Sequence, residues 1–181
     1  MIILILAIFF SCKNKQNKID ALIDAAETTP AMANIPDSVR KKQRLDHLVF
    51  EITSLERLEG RYIGIDGHKS NQTDYAGELG KLADTNYLSK LTTHSSPYLR
   101  VVAFQALLDN NYSQIEEIFR QHLNDNSTYQ LYSGCLITPE PVNLTMFNLL
   151  RYKLTDEAQT VYYEKIMEQL KKSNYWLANI Q

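Results

Sequence analysis

Thr85 to Asp109 reads T-N-Y-L-S-K-L-T-T-H-S-S-P-Y-L-R-V-V-A-F-Q-A-L-L-D, and this stretch decides the fold. Asp84 or Thr85 supplies an N-cap for a helix ending in Leu91, because a short polar side chain accepts from free first-turn amides. Thr92 to Ser96 forms a polar turn. Pro97 then stands where a first-turn proline is tolerated, since its missing N–H would be unpaired there anyway. Leu99, Val102, Ala103, Ala106 and Leu107 follow at offsets 0, 3, 4, 7 and 8, one face of a helix.

The same period extends outward in both directions. Ser113 and Glu116 have capping-box spacing before Ile115, Ile118, Phe119 and Leu123. Tyr129 to Ile137 is expected to be one more short helix, Thr138 to Pro141 a turn, and Val142 to Leu150 a helix. Thr155 is expected to cap a last helix with Tyr163, Ile166, Met167 and Leu170 on one face. Upstream, Thr73 to Ala83 reads as helix. Leu45, Leu48, Val49, Ile52 and Leu55 mark a helix that opens at Asp37-Ser38 and stops near Gly60. Residues 60–72 hold three of the six glycines and read as an exposed loop.

Composition agrees with a helical reading. Gly and Pro number only 6 and 5 in 181 residues, and 44 % of residues are apolar. Nineteen Lys plus Arg against 21 Asp plus Glu give a net charge of −2, so no charge excess points to nucleic acid.

Leu91, Pro97, Leu99, Arg100, Ala103, Ala106 and Leu107 occupy the places of a HEAT-like helical-repeat unit, which residues 85–109 resemble. Residues 115–137 resemble a second, degenerate unit that lacks the Pro and the Arg. The stretch from His94 to Leu107 is also similar to the H-x-x-P-x-x-R-x-x-A-F-x-A-L segment of lipoproteins from Bacteroidetes-type bacteria. The resemblance implies an all-α protein, either a short HEAT-like α-α repeat stack or a helical bundle, behind a lipoprotein signal. It implies an architectural role for Arg100, bonding carbonyls or an acid of the neighbouring repeat. It implies no reaction.

The opening residues point to a location. Met1 to Phe10 carries no polar side chain. Ten helical residues reach about 15 Å, half of a bilayer core, which suits a signal-peptide apolar region and not a spanning helix. Ser11-Cys12 follows, so the run resembles a bacterial lipoprotein signal with Cys12 as the lipidation site. Phe10 stands where a smaller residue is usual, and no Lys or Arg precedes the run. The expected organisation is a signal peptide at 1–11, a tether and linker at 12–36, and a helical domain at 37–181. The expected place is the bacterial cell envelope, on the periplasmic side or the cell surface, held to the membrane by lipid on Cys12.

Reactive groups do not cluster in the sequence. His47, His68, His94 and His122 are scattered without metal-ligand spacing, so neither metal nor cofactor is expected. Ser95 or Ser96 with His94 and Asp84 has no nucleophile-elbow context. Cys135 is expected to be a buried structural thiol. Eleven tyrosines are many for this length, and tyrosine suits interfaces because a broad apolar ring ends in one polar tip. Tyr62, His68, His94 and Tyr98 are the candidate interaction surface. The expected function is a non-catalytic module that binds another envelope protein. The alternatives are an envelope protein that binds a small ligand through the 60–72 loop and tyrosines, and an immunity-type protein that binds a toxin.

Overall fold

A computed structural model describes residues 36–153, 164–170 and 172. The signal peptide, Cys12 and the tether read from the sequence lie outside the described residues, as do Thr155 and Tyr163. The chain divides into two compact units, Met1–Lys42 and Gln43–Gln181. Of the first, residues 36–42 are described. They open helix α1 (Asp37–Thr53), where Arg40 Nη2 lies 2.6 Å from Asp37 Oδ1.

The second unit holds the rest of α1 and then alternates strands with helices. Strands β1 (Leu58–Ile63) and β2 (His68–Lys69) form a hairpin. Helices α2 (Asn71–Leu82), α3 (Thr85–Leu91), α4 (Pro97–Asp109) and α5 (Ile115–Gln121) follow. Strands β3 (Thr128–Gly134) and β4 (Leu136–Pro141) form a second hairpin, which runs straight into α6 (Val142–Lys153). The sheet order is β2-β1-β3-β4, with β1 parallel to β3 and both hairpins antiparallel. The edges are thus the two-residue β2 and the proline-bearing β4.

This architecture overturns the all-α expectation, in both its repeat-stack and its bundle form. The protein is mixed α/β, and the departures lie at residues 58–69, expected to be a helix end and a loop, and at residues 128–141. Tyr129 and Leu131 turn to the core while Gln130 and Tyr132 alternate with them, a period of two. Ser133 pairs with Leu136, which leaves a two-residue turn of Gly134 and Cys135. Gly134 has φ +57°, the left-handed backbone that tight hairpin turns require at this place. Thr138 to Pro141, expected to be a turn, is the return strand.

Helices 85–91 and 97–109 stand where the sequence puts them. Asp84 accepts from Tyr87 N, and Ser96 accepts from Leu99 N with Pro97 opening α4. Ser70 caps α2 by accepting from Gln72 N. Helix α5 starts after Gln114 with no side-chain cap, so the Ser113–Glu116 capping box does not form.

Helix α4 is apolar nearly all round. Val101, Phe104 and Leu108 are buried as well as the expected face of Leu99, Val102, Ala103, Ala106 and Leu107. A helix buried on every side is the centre of a core rather than one surface of a stack. Around it pack Leu79 of α2, Leu88 and Leu91 of α3, Ile118 and Phe119 of α5, and Met146, Phe147 and Leu150 of α6. Phe119 bridges Phe104 and Phe147, with ring centroids 6.5 and 6.1 Å away. Leu58 and its register partner Leu131 present one face of the sheet to this core. In the helical segment 164–170, Ile166 and Leu170 are buried in the same cluster.

Candidate functional site

Parallel pairing of β1 with β3 brings the two hairpin turns to the same end of the sheet. The Gly64 amide donates to the Gly134 carbonyl at 2.8 Å and ties one turn to the other. The first turn is Gly64-Ile65-Asp66-Gly67, with both glycines at positive φ (+75° and +65°). Its tip side chain, Ile65, is 92 % exposed. Just past the second turn, at the start of β4, Leu136 is 70 % and Ile137 50 % exposed, on opposite faces of the strand, and Tyr62 on β1 is 57 % exposed. Cys135 lies between them and is exposed too, which corrects the expectation of a buried thiol. Single exposed apolar side chains are ordinary, but several gathered at one end of the sheet make that end a candidate interaction surface.

Buried polar groups hold the other end of β1 in shape. Glu59 on β1 is only 7 % exposed. Its carboxylate takes hydrogen bonds from Arg57 Nη2 at 2.6 Å and Nε at 2.9 Å, and from Ser70 Oγ at 2.7 Å. The Arg57 guanidinium lies 4.8 Å from the Tyr132 ring centre, so the cation also rests on β3. Gln72 accepts from the Glu59 amide and donates to the carbonyls of Ile52 and Arg57. The first turn of α2, the end of α1 and the start of strand β1 are therefore tied together by hydrogen-bonded polar groups.

A second polar cluster centres on Arg100 of α4. Arg100 Nη1 donates to the carbonyls of His94 and Ser95, and Nη2 donates to Asp125 Oδ1 at 3.0 Å. Arg100 Nε is 2.9 Å from Asp125 Oδ2, a charge contact off the hydrogen-bond angle. His122 Nδ1 is 3.1 Å from the same oxygen. Burial pushes the Asp125 carboxyl up, but bonds from His122, Ser127 and Arg100 outweigh it and leave it below the ordinary value. His122 Nε2 is sealed from solvent and has no partner among the described residues, so substrate has no route to it. The geometry is that of a brace joining α4 to the loop before β3.

The four surface residues singled out from the sequence divide between places. Tyr62 and His68 both lie on the β1–β2 hairpin, but Tyr62 pairs with Lys69 and His68 with Ile63, so they occupy opposite faces. His94 sits in the turn before α4, where its Nδ1 accepts from Ser96 N at 3.0 Å. Tyr98 is buried, and its hydroxyl donates to the Thr53 carbonyl at 2.6 Å. Leu91 and Ala103 are core, Pro97 opens α4, and Arg100 forms the brace. Ile65 falls in the 60–72 loop that the sequence reading took as exposed, whereas Leu136 and Ile137 were missed.

Among the described residues, no group of three or more His, Cys, Asp and Glu could hold a metal ion. Nor is any described helix long and apolar enough to cross a membrane. Comparison with protein-family models, with curated proteins and with solved structures finds no match.

Proposed function

We propose that the chain is a lipid-anchored protein of the bacterial cell envelope that works as a non-catalytic protein–protein interaction module, with the paired hairpin turns as its contact surface. One observation carries this reading: Ile65 at one turn tip, and Tyr62, Leu136 and Ile137 on the strands beside the turns, expose apolar side chains where a hydrogen bond ties the two turns. Support for the anchor is the apolar run Met1 to Phe10 followed by Ser11-Cys12.

Cys135 offers a direct test. With Cys12 acylated it is the one remaining thiol of the sequence, and it sits on the surface in question. A maleimide-linked photo-cross-linker is attached to Cys135 in isolated envelopes. The expected result is one adduct of defined mass, lost in the Ile65→Asp/Leu136→Asp variant. The Cys12→Ser variant is expected to leave the membrane fraction. If the labelled protein gives no adduct, or gives the same adduct with the double variant, the turns are not the contact surface.

A further inference from the structure

A cleft of about 630 Å³ opens where β1 and β3 meet α2 and α4, a size typical of small-molecule sites. Leu58, Val102 and Leu131 give it an apolar floor, and α2 contributes Gly77 and Gly80 to its wall. The two glycines have different reasons. A Cβ at Gly80 would stand 3.2 Å from Ala106 Cβ, so this glycine lets α2 approach α4. A Cβ at Gly77 would meet nothing within 4 Å. Glycine inside a helix costs about 0.5–1 kcal/mol relative to alanine, and no neighbour of Gly77 requires it. What its missing side chain leaves is room in the cleft.

The charges lining the cleft do not cancel. Glu59 is neutralised by Arg57 at 2.6 Å, and Asp109 faces Lys153 at 4.0 Å. Arg61 and Lys81 also line the cleft, and neither forms an ion pair with any described residue. The uncompensated charge is positive and stands beside an apolar floor. We propose that the cleft binds a small amphipathic anion, a carboxylate with a short aliphatic body. Arg61 and Lys81 pair with the headgroup, and Leu58, Val102 and Leu131 take the body. The exposed turn residues Ile65, Leu136 and Ile137 do not line this cleft, so the proposal stands apart from the interaction-module reading.

Decanoate serves as the probe, with decanol as the uncharged control and acetate as the control without an apolar body. The full chain carrying Cys12→Ser is titrated and the amide resonances of Gly77 and Gly80 are followed. Decanoate is expected to shift both resonances to saturation, and more tightly than either control. Two variants localise the site. Gly77→Leu fills the space, and Arg61→Gln/Lys81→Gln removes the charges from exposed positions where folding is not at risk. Each is expected to raise the decanoate Kd by about tenfold, and the charge variant to flatten its salt dependence. Ile65→Asp/Leu136→Asp is expected to leave that Kd unchanged. Equal affinity for decanoate and decanol, or unchanged affinity in the charge variant, overturns the proposal.

Discussion

Tyr129 makes the fold sensitive to alkali in a way that can be computed and then isolated. Its ring is buried against the core, and its hydroxyl bonds Thr145 Oγ1 at 3.0 Å, joining β3 to α6. Burial pushes the phenol up from 10.0 to about 12; the Thr145 bond opposes the rise, and Glu140 beside it on β4 adds to it. The unfolded chain therefore releases this proton first. Stability from Tyr129 is intact below pH 10 and is lost as pH rises through 12, about 3 kcal/mol in all and roughly half of that at pH 11. At pH 8, Tyr129→Phe is expected to be less stable than wild type by about 1 kcal/mol, the net value of one buried hydrogen bond. At pH 11 the gap is expected to close, because only the wild type has lost the phenol's contribution. Urea unfolding followed by circular dichroism at the two pH values measures both gaps, and the other tyrosines and lysines cancel in the difference. An equal gap at pH 8 and pH 11 would show that Tyr129 is not held neutral by burial.

Asp125→Ala is expected to destabilise the fold by about 3–5 kcal/mol in urea unfolding, since it leaves Arg100 buried without its counter-charge. In the wild type the Asp125 carboxyl titrates below 3.8, so its support is present above that pH and is lost as pH falls through the folded value. Acid unfolding of the wild type is thus expected to be steeper than that of Asp125→Asn. Gly77→Ala is expected to raise stability by about 0.5–1 kcal/mol. Gly80→Ala, which crowds Ala106 at 3.2 Å, is expected to fall below it in the same thermal melt. Glu59→Gln is expected to cost about 1–3 kcal/mol, because a neutral amide cannot match two Arg57 bonds and one from Ser70. Hydrogen exchange is expected to speed up first at the β1–β2 hairpin.

The helices around Pro97 were legible because several signals coincide there. A cap, a first-turn proline and a 3.6-residue period point to one answer in Ser96 to Leu107, and the backbone follows them. The sheet was legible in pieces only. Tyr129, Leu131 and Ser133 do alternate, but seven residues support a helical face and a strand face almost equally. The signal against a helix was Gly134 just before the reversal, while Pro139 and Pro141 read as a turn and stand in the return strand. The pairing of β1 with β3 was not legible at all. It joins residues some seventy apart, and its only local trace is the glycine pair around Ile65. For the same reason Tyr62 was found as a surface residue, whereas Leu136 and Ile137 were hidden inside an expected helix. Tyr98 misled because a buried tyrosine whose hydroxyl meets a backbone carbonyl resembles an interfacial one in sequence.

The two prolines of β4 bear on solubility. An outer strand offers unpaired N–H and C=O groups to any other extended chain, and apolar side chains at its end make such pairing more favourable. Pro139 and Pro141 are two apart, so they stand on the same side of the strand's backbone, and neither has an N–H to offer. The opposite border is only two residues long. Among the described residues, the sheet that displays Ile65, Leu136 and Ile137 near its turns thus has two borders ill suited to adding copies strand by strand into a fibre. Pro139 is exposed whereas Pro141 is buried, so Pro139→Val is the change that restores a donor on the open border and weakens that protection against polymerisation.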